Sequence, residues 1–266
     1  MESFFGYIGA LCIGLILGLT GGGGSILTVP VLVYLLGIPP VTATAYSLFI
    51  VGTTSGFGAI RNYFKGLVVV KTAFLFAIPS FIAVFLTRRF IVPAIPDTII
   101  KTSFLTVSKD TFLMGFFAVI MFLAALAMLR KKVDCDVTVS EPGKNNFLIL
   151  IPQVFLIGMV IGMVGAGGGF LIIPSLVFFA KLPMKKAVGT SLLIIAINSL
   201  IGFTGDLKNL DADWTFLLTF SLVSVFGIFA GIYLNKFINE TQLKKGFGWF
   251  VLLMAIYILL KESFRL

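Results

Sequence analysis

A cluster of glycines between two apolar runs occurs twice in this chain. The first copy is Gly18-Leu19-Thr20-Gly21-Gly22-Gly23-Gly24-Ser25, continuing to Pro30. The second is Gly162-Met163-Val164-Gly165-Ala166-Gly167-Gly168-Gly169, continuing to Pro174, and it lies 144 residues later. The offset holds without a gap past the cluster. Pro39 matches Pro183, Ala43 matches Ala187, Ser47-Leu48 matches Ser191-Leu192, Ser55 matches Ser199 and Gly58 matches Gly202. A chain that repeats half of itself is read as two copies of one unit.

The unit is apolar. Of 266 residues, 59% are hydrophobic and 12% charged, and the mean hydropathy is +1.11. Soluble domains carry about twice that share of charge. The length is therefore divided into membrane crossings. The first half has apolar runs at about Phe4–Leu19, Ile26–Leu36, Val41–Ile60, Val70–Leu86 and Thr111–Leu129. The second half has Phe147–Met163, Phe170–Ala180, Ala187–Phe203, Trp214–Leu234 and Trp249–Leu260. A hydrocarbon core of about 30 Å needs roughly 20 helical residues. The second run of each half is shorter, follows the glycines and contains a proline. Short Gly/Pro-broken segments at matching positions of two halves point to a transport site at the repeat interface.

The expected fold is an all-α polytopic membrane protein made of two homologous five-segment repeats, each with one short broken helix. Residues 1–132 form the first repeat, with an interfacial insertion at about 91–109. Residues 133–146 form a polar linker around Glu141-Pro142-Gly143, and 147–266 form the second repeat. Five crossings per half invert the second repeat relative to the first, whereas four leave the repeats parallel. The basic residues favour inversion. With ten crossings, thirteen of the 20 Lys+Arg fall on one side and seven on the other, whereas eight crossings put ten on each. By the positive-inside rule both termini then lie outside.

The formal charge of +9 sits in short connections, so it reads as orientation in the bilayer and not as a nucleic-acid surface. The N-terminal Met1-Glu2-Ser3-Phe4-Phe5 has no basic n-region, and the first run is expected to be a retained helix. Cys12 and Cys135 are not expected to meet, and no CxxC pair is present. The chain has no histidine, which removes the commonest proton relay and metal ligand.

Glycine permits positive φ and close approach of backbone to a ligand. Consecutive N–H groups turned inward form an anion nest, and a following helix adds its positive end. Thr20, Gly21, Gly22, Gly23, Gly24 and Ser25, with Gly165, Gly167, Gly168 and Gly169, are therefore candidates to cradle a small anion. Close helix packing is the competing role for the same glycines. Ser47, Ser55, Ser191, Asn198 and Ser199 on the third run of each half could donate to that anion, or bond back to carbonyls of their own helix. Arg61 closes the third run. It could admit an anion at one mouth or simply set orientation. Arg88 and Arg89 close the fourth run.

Every Asp and Glu, Asp206 included, falls at a run end or in a loop. An intramembrane carboxylate is the usual sign of proton or cation coupling, so a cation substrate is disfavoured, while a sodium or proton gradient remains open as the energy source. No HExxH, intramembrane carboxylate pair or GxxxxGK[ST] is present. No enzyme activity, cofactor or metal is expected.

The duplicated pattern G-x-x-G-x-G-G-G-x-x-x-x-P, followed by a proline and A-x-x-x-S-L, resembles the sulfite exporter TauE/SafE family of membrane permeases. The match covers Gly18–Gly66 and Gly162–Leu210. The first copy has Ser25 where the second has Gly169, and Tyr46 where the second has Thr190. The resemblance implies transport of sulfite or a related sulfur-containing or organosulfur anion across a bacterial or archaeal cytoplasmic membrane, in the export direction. An uptake permease or channel for another small anion is the alternative. The partners are the anionic substrate and the lipid bilayer. Of the site, the resemblance carries over the glycine loops and the adjoining serines.

The charge split makes a topological prediction. An impermeant thiol reagent should leave native Cys135, and cysteines introduced at 181–186, unlabelled in intact cells, while cysteines added at either terminus react. Labelling of Cys135 from outside would reverse the orientation.

Overall fold

The computed structural model describes residues 2–102, 105–130, 147–165, 167–207, 210–235, 237 and 240–263. The linker assigned to 133–146 lies outside the described residues. Each apolar run becomes helix. In chain order these are α1 (Glu2–Thr20), α2 (Ser25–Pro30) continued by a π turn at Val31–Leu35, α3 (Pro40–Phe64), and α4 (Val70–Leu86). A second π turn, Thr87–Ile91, joins α4 to the short α5 (Val92–Ala94). After α6 (Lys109–Arg130) come α7 (Phe147–Val164), α8 (Gly169–Phe178), α9 (Met184–Asp206), α10 (Trp214–Leu234) and α11 (Glu240–Ser263). Five of these stretches are long and apolar enough to cross a membrane: Pro40–Phe64, Val70–Ala94, Lys109–Leu126, Met184–Asp206 and Trp214–Leu234.

Two features depart from the all-helical expectation. The stretch assigned to an interfacial insertion contains an antiparallel hairpin, β1 (Thr98–Thr102) with β2 (Leu105–Ser108). Its Thr, Ile and Val residues suit a pleated ladder. The fourth run also does not end at Arg88-Arg89, because the helix passes through both residues by way of the π turn. Pro93 explains the local geometry. It has no N–H for the carbonyl four residues back, and its ring crowds that carbonyl. The wider turn, closed by Val92 N–H to Thr87 O, relieves the conflict and changes which face Arg88 presents. In the second segment the order is reversed, with Pro30 standing just before the π turn Val31–Leu35.

The helices pack through small residues, as expected where lipid supplies no hydrophobic drive between them. On α1, Gly14 and Gly18 lie against the backbone of Ser224, Ile228 and Gly231 on α10, while Gly227 and Gly231 lie against Leu11 and Leu15. Contacts advance together along both chains, so α1 and α10 are parallel. The corresponding pair in the other half is α7 on α4: Gly158 meets Ser80 and Ala83, and Gly162 meets Thr87 and Val84. Central to the bundle are α3 and α9. Gly52 faces Leu200 and Gly58 faces Leu192, so these two run antiparallel. About 72% and 67% of their most apolar windows are buried, against 33–44% for the other three. At their ends Asp213 N–H donates to Tyr46 OH (2.9 Å), and Val69 N–H donates to Thr190 Oγ1 (3.0 Å). Tyr46 and Thr190 are equivalent positions, as are Val69 and Asp213.

The outer faces are apolar. Leu218, Leu222 and Phe226 on α10 form an exposed stripe at i, i+4 and i+8, each about three-fifths exposed. In water such a stripe would be an association surface, but in a bilayer it faces acyl chains.

The α1–α10 contact predicts a stability effect. A Cβ on Gly231 would overlap the Leu15 carbonyl oxygen and lie 3.0 Å from Gly18 Cα. Overpacking costs about 1–3 kcal/mol. Gly231→Ala should lower the apparent Tm in detergent, whereas Gly246→Ala, with nothing within 4 Å of the new methyl, should leave it unchanged.

Candidate functional site

The first glycine loop closes largely on itself. Thr20 Oγ1 donates to Ile16 O at 2.7 Å and accepts from Gly23 N–H at 3.0 Å. Gly21, at φ +72°, donates to Leu17 O at 2.8 Å. Ser25 Oγ donates to Gly22 O at 2.7 Å. The Ser25 and Ile26 N–H groups reach Gly22 O and Gly23 O, each at 3.3 Å. Gly24, in right-handed helical geometry, packs on Ile13 and Leu17 of α1. Most of this loop's donors are thus engaged locally.

The second loop is built differently. Gly165, Gly167 and Gly168 all have left-handed backbone, with φ +69°, +64° and +67°. Any L-residue with a Cβ is strained there. Gly168 caps α8 and its carbonyl accepts from Leu171 and Ile172 N–H at 2.9 and 3.0 Å.

The two loops meet backbone to backbone. A Cβ on Gly22 would lie 2.7 Å from Gly169 Cα, and one on Gly169 would run into Gly22 in turn. Gly21 lies against Val188 of α9, and Gly165 against Thr44 of α3; Thr44 and Val188 are equivalent positions. Ser191 Oγ lies 2.6 Å from Gly21 O and 2.8 Å from Val188 O, a donor that ties α9 to the first loop.

The remaining candidates separate into two groups. Asn198 pairs with Ser80 of α4, its Nδ2 donating to Ser80 Oγ at 2.8 Å, and so clamps two helices. Ser47, Ser55 and Ser199 are fully buried on α3 and α9, and their hydroxyls have no hydrogen-bond partner among the described residues. Ser199 Oγ is 3.0 Å from where a methyl on Gly167 would sit, which places it beside the second loop. Buried hydroxyls without partners are uncommon in native structures, and each such group calls for an explanation. Arg61 is exposed, with its guanidinium 5.5 Å from the centre of the Phe229 ring.

Arg88 and Glu262, both read as run ends, are buried, and Asp206 is partly buried at the end of α9. Arg88 is 1% exposed, and its Nη1 lies 3.3 Å from Asp206 Oδ2, whose side chain is 13% exposed. The same Nη1 donates to Thr44 Oγ1 at 3.1 Å. Asp206 holds its expected run-end position as the last residue of α9, but there it meets Arg88 from the π turn that follows α4, and Glu262 near the end of α11 is likewise enclosed, accepting from Tyr34 OH at 3.0 Å. The local signal for Arg88 is Pro93, which forces the π turn, together with Gly205, whose missing side chain leaves room 3.1 Å from Arg88 Cβ.

These features are those of an integral membrane protein with antiparallel central helices, short segments meeting at glycines, and unpartnered buried hydroxyls on the central helices. The chain belongs to the sulfite exporter TauE/SafE family, whose model matches residues 7–258. A probable membrane transporter protein of Xylella fastidiosa is 29% identical over 93% of this chain and 91% of its own length. One of Haemophilus influenzae is 27% identical over 96% of each, and one of Methanocaldococcus jannaschii is 38% identical over 42% of this chain and 46% of its own. No solved structure matches. The family and these relatives are transporters and not enzymes, and a membrane transporter acts on a small-molecule substrate across a lipid bilayer.

The two groups of serines should behave oppositely. Ser191→Ala removes the donor to Gly21 O and should lower stability by about 0.5–1.5 kcal/mol. Ser47→Ala and Ser199→Ala remove hydroxyls that bond nothing and should melt no lower than wild type. Gly167→Ala should destabilise by about 1 kcal/mol or more, because the left-handed backbone resists a methyl and Val51 Cγ1 lies 2.6 Å from its position. Melting curves on the purified variants check all four.

Proposed function

We propose that this protein is a secondary transporter that exports a small anion, sulfite or a related sulfur-containing or organosulfur anion, across the cytoplasmic membrane of a bacterium or archaeon. The halves are inverted repeats. This reading is supported by the antiparallel course of α3 and α9 and by the matched contacts of α1 with α10 and α7 with α4. The substrate sits where the glycine loops cross, between α3 and α9.

The observation that carries the reading is the set of unpartnered buried hydroxyls on Ser47 and Ser55 of α3 and Ser199 of α9, the last of them beside the second glycine loop. A desolvated oxyanion needs donors, and hydroxyls supply them without a fixed charge. The glycine loops contribute close backbone approach, and the N-terminus of α8 adds a partial positive charge directed at its capping glycines. With no nucleotide-binding motif in the sequence, the energy source is an ion gradient or the substrate's own gradient. The family name supports export.

Flux into proteoliposomes tests this directly. Wild type should move sulfite, and not potassium, in a panel with thiosulfate, sulfate, alkyl sulfonates and carboxylates. The Ser47→Ala/Ser199→Ala double variant should keep its Tm and lose about tenfold or more in sulfite flux, the loss expected when two hydrogen bonds to a charged ligand are removed. Movement of a metal cation, or of no anion in the panel, would overturn the reading.

A further inference from the structure

The donors assigned above are neutral, yet one full positive charge lies against the second glycine loop. We infer that Arg88 is the charged anchor of the anion, and that Asp206 is the internal carboxylate it exchanges for the substrate. This inference rests on the proposed anion-transport reading.

The guanidinium has five N–H donors arranged in forks. Its Nη1 donates to Thr44 Oγ1 and lies 3.3 Å from Asp206 Oδ2, an ion-pair contact in which that oxygen makes no hydrogen bond among the described residues. The other edge, Nε with Nη2, is buried and has no hydrogen-bond partner among the described residues. That edge is the one whose two parallel N–H bonds match two oxygens of one oxyanion. Nη2 lies against Gly165, where any Cβ would overlap it. The absence of a side chain at Gly165 therefore lets the left-handed loop and the guanidinium edge share one space.

A purely structural ion pair would be expected to satisfy both corners, because a buried guanidinium with stranded donors is costly. Here the carboxylate meets one corner only, and it stands on the last residue of α9, 13% exposed, while the guanidinium is 1% exposed. Asp206 is therefore placed to neutralise Arg88 when no substrate is present. When an oxyanion takes the Nε/Nη2 edge, the carboxylate moves toward the mouth, and the buried charge stays balanced at each stage.

The arrangement occurs on one side of the repeat only. The positions equivalent to Arg88, Asp206 and Thr44 are Ile232, Asn62 and Val188. Although the loops are duplicated, the charge is not, so the protein carries one anion site and not two.

The test uses full-length protein and equilibrium binding of radiolabelled sulfite, with the flux panel run in parallel. The neutral double variant Arg88→Gln/Asp206→Asn leaves no stranded charge and should fold. Its sulfite Kd should rise about tenfold or more, the value of one charge-assisted fork, with Tm close to wild type. Asp206→Asn alone removes the internal competitor and should bind sulfite more tightly than wild type while slowing its release. Arg88→Lys keeps the charge without the fork and should bind weakly. Wild-type affinity in the double variant overturns the inference, as does weaker binding in Asp206→Asn. If either of these two fails to fold, the other decides. Wild type that moves sulfite with an indifferent double variant refutes the anchor alone, whereas wild type that neither binds nor moves any anion in the panel refutes the transport reading as well.

Discussion

Two backbones touch at Gly22 and Gly169, and the contact is admissible because neither residue carries a Cβ. Much of the centre depends on it. With the loops in contact, α2 and α8 start close together, and α9 brings Ser191 to the first loop and Ser199 to the second. A bilayer tolerates non-helical backbone only where protein or an internal cavity satisfies it. The two loops meet that requirement for each other and with Ser191, whose hydroxyl donates to the Gly21 carbonyl.

The loops share a sequence pattern but differ in local chemistry. The first has one left-handed glycine and a set of internal hydrogen bonds anchored by Thr20 and Ser25. The second has left-handed backbone at Gly165, Gly167 and Gly168. Ser25 against Gly169 is a visible cause: the serine supplies a side-chain donor to Gly22 O, for which the second copy has no counterpart. The first loop is a self-satisfied turn, whereas the second is held in left-handed backbone packed against Thr44, Val51 and Ile161. The asymmetry is sharpened by Arg88, which lies by the second loop, where the first has only Ile232 at the equivalent place.

Charge placement separates the roles of the two arginines considered for the site. Arg61 ends α3 in the open, over an aromatic face, where a guanidinium stays solvated and contributes mainly to orientation. Arg88 is enclosed by α3, α4, α7 and α9. Enclosing it is costly, and the cost is offset in part by Asp206 and Thr44. Of the two, only Arg88 is buried.

Most of the architecture was legible in the sequence. The apolar runs marked the helices, the offset of 144 residues the equivalences and the glycine clusters the starts of the short segments, whereas of the two prolines only Pro30 stands at a break, since α8 runs unbroken through Pro174. These properties are local, since hydropathy, proline's missing N–H and glycine's missing Cβ act within a few residues. What only the tertiary structure decided was non-local. Ser47 and Ser191 look identical in their repeats, yet the Ser191 hydroxyl donates to the Gly21 carbonyl whereas that of Ser47 has no partner among the described residues. Arg88 resembled an ordinary charged run end. It is buried because a π turn redirects it and because Asp206 and Thr44, from helices distant in the chain, form its surroundings. Whether a charge lies inside a membrane protein depends on the partners that meet it there, and these come from other helices.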